Sequence, residues 1–386
     1  MHDDTLLTTL GRHPDKHDGI VNPPVYRAST ILFPTLADLE RPKSPDENRY
    51  GRYGTETTRE LEQAVASLEG GAHCIVTGSG KAAIVGSLLA LLKPGEHLLM
   101  ADSVYAPTRF AAQKFLKRWG VDTTFYDPAL GGAIDELIRP ETRVIYAESP
   151  GSLTFEVQDL PAIADAAHAK DCLVVFDNTW ASPLYFKAFE HGADVVIQAG
   201  TKYIGGHSDL MMGFVTTTDG LAKPVRLGIE ELGGSVSPAD CWLALRGLRT
   251  LSVRLERHYR NALVVANWLL DQPQVLDVLY PALPEDPSHS LWRRDFRGAS
   301  GLFGMRLIDA PKEAVAAMLD QMELFGMGYS WGGYESLLIP SRLTGLRTAT
   351  RPSDAGILMR LHIGLEEPAD LIEDLEAGFT RFDAAR

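Results

Sequence analysis

Between residues 73 and 217, short apolar runs alternate with amphipathic stretches, and this alternation restricts the possible folds more than any other feature. The apolar runs read HCIVTG, HLLMAD, DTTFYD, RVIYAES, CLVVFD, DVVIQAG and MMGFVTT. Helical patterns such as KAAIVGSLLALL, PTRFAAQKFLKRWG and QDLPAIADAAHAK lie between several of them. Near-continuous apolar strands separated by helices form βαβ units. The expected class is therefore α/β, with a mostly parallel seven-stranded sheet.

The flanks differ. Residues 1–60 are rich in Pro, Arg, Asp and Tyr and show no strong period, so they read as an arm lying on something else. Residues 61–240 would form the large domain. From about residue 238 a long helical pattern, SPADCWLALRGLRTLSVRLERHYRNALVVANWLLDQ, leads into a smaller C-terminal α/β domain spanning 241–386. Its strands are expected near LFGMRLI and ILMRLHIG, with a last helix in EPADLIEDLEAGF.

A formal charge of −14 argues against nucleic acid or an anionic membrane as partner. Cys74, Cys172 and Cys241 stand far apart, without metal-ligand spacing, as in a reducing compartment. The N-terminal stretch shows no apolar signal region, and the apolar run near Ala82–Leu92 is too short to span a bilayer. The expectation is a soluble, cytoplasmic protein.

Ligands of open parallel sheets bind beyond the carboxyl ends of the strands. Asp177 ends CLVVFD, Lys202 follows DVVIQAGT, and the turn TGSG (77–80) ends HCIVTG and opens a helix. A glycine turn at a helix N-terminus offers free N–H groups and the positive end of a dipole to a phosphate. A phosphate seat, a carboxylate and a lysine on one sheet edge are what pyridoxal 5'-phosphate (PLP) requires. Two lookalikes fail. GSGK lacks the first glycine of a P-loop, since Ile75 stands there, and Ala82 replaces its Ser or Thr. GYSWG (328–332) matches a nucleophile elbow, with Ser330, Asp354 and His362 as a hydrolase triad, but Pro340 follows too soon for the required helix. His207 and Asp209 suggest a metal, yet their spacing suits bracing of the lysine loop better, so no metal is expected.

From residue 20 to the C-terminus the chain resembles the Cys/Met-metabolism enzymes of fold-type I PLP-dependent class. DNTWASPLYFKAFEHGADVVIQAGTKYIGGHSD (177–209) resembles the family's cofactor segment, and YGRYGTETTRELEQAVASLEGG (50–71) its N-terminal signature. ESPGSLTFEVQDLPAIA, SWGGYESL and RLHIGLEE are similar to segments of bacterial cystathionine β-lyases.

The resemblance implies that Lys202 carries the cofactor and shuttles protons. Asp177 would pair with the ring nitrogen, and Tyr105 would stack on the ring. Gly80, the Lys81 backbone and the Thr201 hydroxyl would hold the phosphate, joined by Tyr50 and Arg52 from a neighbouring subunit. Arg360, a charge inside the apolar strand LMRLHIG, would take the substrate α-carboxylate. Ser330, Trp331 and Tyr53 would line the substrate pocket. Three positions depart from the family pattern: Ala199 replaces a common serine, Lys81 a small or apolar residue, and Tyr53 an arginine. The implied activity is β-elimination of L-cystathionine to homocysteine, pyruvate and ammonia, in methionine biosynthesis, by a homo-oligomer, dimeric or a tetrameric dimer of dimers. Either Lys202 or Tyr105 would be the base. A γ-lyase and a cysteine desulfhydrase would share every cofactor contact.

Overall fold

The computed structural model describes residues 1–42, 44, 47–351, 353 and 355–386. All the apolar runs between 73 and 217 form strands: β1 (His73–Thr77), β2 (His97–Ala101), β3 (Asp122–Tyr126), β4 (Thr142–Glu148), β5 (Leu173–Asp177), β6 (Val195–Gln198) and β7 (Gly213–Thr217). They make one seven-stranded sheet in the order β1-β7-β6-β5-β4-β2-β3. The run β3-β2-β4-β5-β6 is parallel, and β7 is antiparallel to both β6 and β1. The reversal of β7 has a local cause. A parallel return needs a crossover, usually a helix, whereas the chain from 199 to 212 is a glycine-containing loop without one.

The helices bury the sheet on both faces, which is why β2 and β7 are buried at every position. Helix Gly80–Leu91 starts at Ser79, whose hydroxyl accepts the Ala82 N–H at 3.1 Å. The helix expected after Tyr105 runs as Ala106–Phe110 and then turns into a π-helical segment, Ala111–Leu116.

The long helical pattern past residue 237 is two helices, Pro238–Leu248 and Leu251–Leu270. The break has a tertiary cause. The Gly247 backbone lies against the Ile204 and Gly205 carbonyls, so a Cβ there would collide with them. The Gly247 carbonyl also accepts from Arg254 Nη2 at 2.8 Å, instead of continuing a helical ladder.

The C-terminal sheet has the order β10-β11-β9-β8 and is antiparallel throughout. Its strands are β8 (Val275–Leu279), β9 (Leu302–Leu307), β10 (Leu337–Pro340) and β11 (Ile357–His362). The sequence pattern gives only β9 and β11, because VLDVL is interrupted by Asp277 and mostly half-exposed, and LLIP ends at once in a proline. The last helix is Pro368–Ala384. One apolar core runs through both sheets, joining Phe155 and Phe176 to Phe303 and Leu361. The arm is anchored where helix Asp3–Thr9 buries Leu7 among Leu61 and Val65. Beyond that anchor it exposes Ile20, Val21, Leu32, Leu36 and Leu39.

Candidate active site

β5 and β6 lie side by side, and Asp177 and Lys202 leave their carboxyl ends together. The Asp177 carboxylate is buried; Thr179 donates to Oδ1 through its N–H (3.1 Å) and hydroxyl (2.5 Å), and the Tyr146 hydroxyl donates to Oδ2 at 3.3 Å. Burial pushes this carboxyl above its ordinary range, while those hydrogen bonds and the Lys202 charge pull against it. Ala199, one of the departures from the wider family pattern, donates its N–H to the Thr179 hydroxyl at 2.9 Å, tying the two strand ends together.

Lys202 Nζ donates to Ser330 Oγ at 2.7 Å and sits 5.1 Å from the centroid of a Trp331 ring. Burial, helped by the Arg360 charge and opposed by Asp177, lowers the ammonium to about 8. The loop behind it is braced. Arg254 Nη1 donates to the Tyr203 carbonyl at 2.7 Å, against Gly206 with φ +69°. His207 Nδ1 donates to the Gly205 carbonyl at 2.7 Å, within the same loop. Asp209 is exposed, and among the described residues no group of three His, Cys, Asp or Glu could hold a metal ion.

The TGSG turn reaches this loop directly. A Cβ on Gly80 would lie 2.7 Å from the Ala199 Cβ, so only glycine lets the start of helix Gly80–Leu91 press against the root of the lysine loop. The first-turn N–H groups of Gly80 and Lys81 have no acceptor within their helix. The Lys81 side chain is exposed. The Thr201 hydroxyl is engaged by Met212, donating to its carbonyl at 3.1 Å and accepting its N–H at 2.9 Å.

Arg360 projects from β11 and donates through Nη2 to the carbonyls of Gly328 (3.1 Å) and Ser330 (2.9 Å). Its Nε is buried without a partner, and no carboxylate of the described residues pairs with it. The hydrolase reading finds no triad. The His362 Nε2 lone pair accepts the Gly332 N–H at 3.0 Å, no helix follows Ser330, and Asp354 lies outside the described residues.

Tyr105 is half exposed beside this site, and its N–H donates to Glu148 Oε2 at 2.7 Å. Glu148, at the end of β4, is level with Asp177 in the sheet register. Burial and then the Asp177 charge push its carboxyl well above the usual range, and burial and then Glu148 raise the Tyr105 phenol. Sequence reasoning missed Glu148, although RVIYAES shows the same strand-end position as CLVVFD. Arg254 left no local signal; its role depends on contacts made across the fold.

Tyr50, Arg52 and Tyr53 are not brought to Lys202 within one chain. Arg52 donates to the Tyr53 hydroxyl at 3.0 Å and to the Glu230 carbonyl at 3.4 Å, and the Arg49 guanidinium lies 3.8 Å from the centroid of the Tyr53 ring.

The residues that do meet suit PLP. A buried carboxylate, a lysine shifted towards neutrality and a helix N-terminus opened by Gly80 are groups of the kinds that its ring nitrogen, aldehyde and phosphate call for. Known proteins are similar over nearly the whole chain. The cystathionine β-lyase of Bordetella avium is 46% identical over 98% of both chains. The cystathionine β-lyase MetC of Escherichia coli is 42% identical over 98% of both. The crystal structure of metB from Corynebacterium glutamicum has a TM-score of 0.90 at 31% identity and covers 98% of each chain. With residues 4–380 matching its profile, the chain belongs to the Cys/Met metabolism PLP-dependent enzyme family.

Proposed function

We propose that the chain is a cystathionine β-lyase that breaks the Cβ–S bond of L-cystathionine. The buried Nε–H of Arg360, whose charge acts on the depressed Lys202, carries this reading, because a guanidinium donor can take a substrate carboxylate close to a proton carrier. The full-length similarity to enzymes of that activity supports the same reading.

When bound, PLP supplies an electron sink for the pair left on Cα. Asp177 would keep the ring nitrogen protonated, and Lys202 would carry the cofactor until substrate frees it. The N–H groups of Gly80 and Lys81 would hold the phosphate, with Thr201 joining once its hydroxyl turns from Met212. Tyr105 would stack on the ring, held by Glu148. Arg360 would fix the α-carboxylate and so aim Cα–H at Lys202. Ser330 and Trp331 would line the pocket at the lysine.

Of the two candidate bases, we assign the proton transfer to Lys202. Its ammonium is lowered to about 8 while the Tyr105 phenol is raised, so near neutral pH the lysine has the larger reactive fraction. The proton taken from Cα can pass to the departing homocysteine sulfur. Water then completes the release of pyruvate and ammonia.

Residues 1–60 would be an arm reaching a neighbouring copy, 61–240 the cofactor domain and 241–386 the substrate-closing domain. The exposed apolar arm and the absence of Tyr50, Arg52 and Tyr53 from the single-chain site favour a homo-oligomer, a tetramer built as a dimer of dimers, in which these residues complete a neighbour's site. No helix among the described residues is long and apolar enough to cross a membrane. We place the enzyme in the cytoplasm, in methionine biosynthesis. The deciding experiment is a product assay on cystathionine. Pyruvate with homocysteine is expected; 2-oxobutyrate with cysteine would make it a γ-lyase, and no turnover of cystathionine alongside turnover of cysteine a desulfhydrase.

A further inference from the structure

We propose that His362 is a positioning residue: with Arg360, it straps the loop 328–332 onto the Lys202 backbone and so fixes Ser330 and Trp331 at the reacting amine. The inference rests on the reading of Lys202 as the cofactor lysine.

Residues two apart on a strand share a face, so Arg360 and His362 leave β11 on the same side. Their polar atoms meet the loop backbone at alternate residues. Arg360 Nη2 takes the carbonyls of Gly328 (3.1 Å) and Ser330 (2.9 Å), and His362 Nε2 accepts the N–H of Gly332 (3.0 Å). The loop is thus held by side chains of β11 much as a strand is held by a neighbour's backbone.

The seat of the loop is the lysine itself. Gly332 has φ +90°, and a Cβ there would lie 2.9 Å from both Cα and the carbonyl carbon of Lys202. Glycine is therefore required, and the N–H at this seat is the one taken by His362. On the other side of that contact, Ser330 Oγ meets Lys202 Nζ at 2.7 Å.

His362 is set up to accept and not to donate at this nitrogen. Its Nδ1 donates to the Glu335 carbonyl at 3.1 Å, which leaves the lone pair on Nε2. The ring is fully buried, 5.2 Å from His258 and 6.0 Å from Tyr203, whose ring in turn lies 5.5 Å from Trp331. Burial and then His258, with Arg360 and Lys202 beyond, hold the imidazole well below its ordinary range, so it stays an acceptor.

The test uses the full-length, cofactor-loaded enzyme. His362→Gln keeps an acceptor near the place of Nε2, His362→Leu keeps none, and His362→Asn can still donate to Glu335 but falls short of Gly332. All should retain the visible band of bound cofactor. Leu and Asn should lose roughly tenfold or more in kcat/KM, the effect of leaving a buried N–H unpaired, while Gln keeps most of it. Adding Ser330→Ala to His362→Leu should cost less than the sum of the separate losses, because both act through one loop. Equal losses in all three variants, or full additivity with Ser330→Ala, would mean an ordinary core histidine and overturn the proposal. If the wild type releases no pyruvate from cystathionine, the lyase reading falls separately. The strap is then read from the spectral titration with L-alanine. Weaker binding in Leu and Asn but not in Gln supports it, and equal binding in all overturns it.

Discussion

Lys202 is the residue where burial turns into chemistry. An ammonium held near 8 has its neutral fraction rise tenfold per pH unit below that value and level off above it. Only the neutral amine can capture an aldehyde. The rate at which the cofactor-free protein takes up PLP should therefore climb from pH 6 and flatten near 8; flattening only near the ordinary lysine value would contradict the depressed lysine. Arg360 gives a second measurement. If Arg360 holds the substrate carboxylate as proposed, Arg360→Ala leaves that carboxylate without its partner, typically about 2–5 kcal/mol, or roughly 30- to several-thousand-fold in kcat/KM. Arg360→Lys should recover only part, lacking the forked donors, and both variants should keep the visible band. A fully active Arg360→Ala enzyme would remove this residue from the substrate site. Lys202, Asp177 and Arg360 were legible because a charge at the end of, or inside, an apolar run stands out in one dimension. Arg254 and the strap made by His362 were not, because their partners lie 51 and 30 residues away in sequence.

At the scale of elements, a latch absent from any motif ties the segment before β11 to the large sheet. Asp102, directly after β2 and fully buried, accepts Arg109 Nη1 at 2.8 Å together with the N–H groups of Thr348 (2.9 Å), Ala349 (3.1 Å) and Thr350 (2.9 Å). Those residues belong to the segment between β10 and β11, so a carboxylate of the large sheet grips the C-terminal one. Burial alone would raise Asp102, but the donors from Thr348, Thr350 and Arg109 outweigh it and hold the carboxyl below its usual range. Asp102→Ala leaves Arg109 buried and unpaired, which typically costs about 3–5 kcal/mol. The melting temperature should fall sharply, and Asp102→Ala with Arg109→Leu should fall less than Asp102→Ala alone; the reverse order would mean the pair is not coupled. The strands of the large sheet could be read from sequence because most of them, the edge strand β3 excepted, are buried along nearly their whole length and so form continuous apolar runs. The helix break at Arg249–Thr250 could not, since it is imposed by the lysine loop packing on Gly247.

At the scale of the molecule, the single chain leaves two things unfinished. Its arm exposes a row of large apolar side chains, Leu32 at 87% and Leu36 at 68% among them, and its Tyr50 and Arg52 stand away from Lys202. Burying one such leucine is worth about 1.5–3 kcal/mol, so a second copy covering the arm would gain from several at once. With a chain mass of 42.2 kDa, sedimentation should give a multiple of that value. Leu32→Glu with Leu36→Glu should move the protein towards the single-chain mass, since two buried carboxylates would oppose the contact. Activity should fall with it if the sites are shared. Mixing separates sharing from mere stabilisation. Chains carrying Lys202→Ala and chains carrying Arg52→Ala are each expected to be inactive or nearly so. If Arg52 serves the neighbour's site, a mixed dimer contains one site with both defects and one with neither. Co-refolded mixtures should then recover up to about a quarter of wild-type activity, because half of the dimers are mixed and half of their sites are intact. If Arg52 serves its own chain's site, every site keeps one defect and mixing recovers nothing. A fully active monomer at assay concentration would overturn the shared site outright.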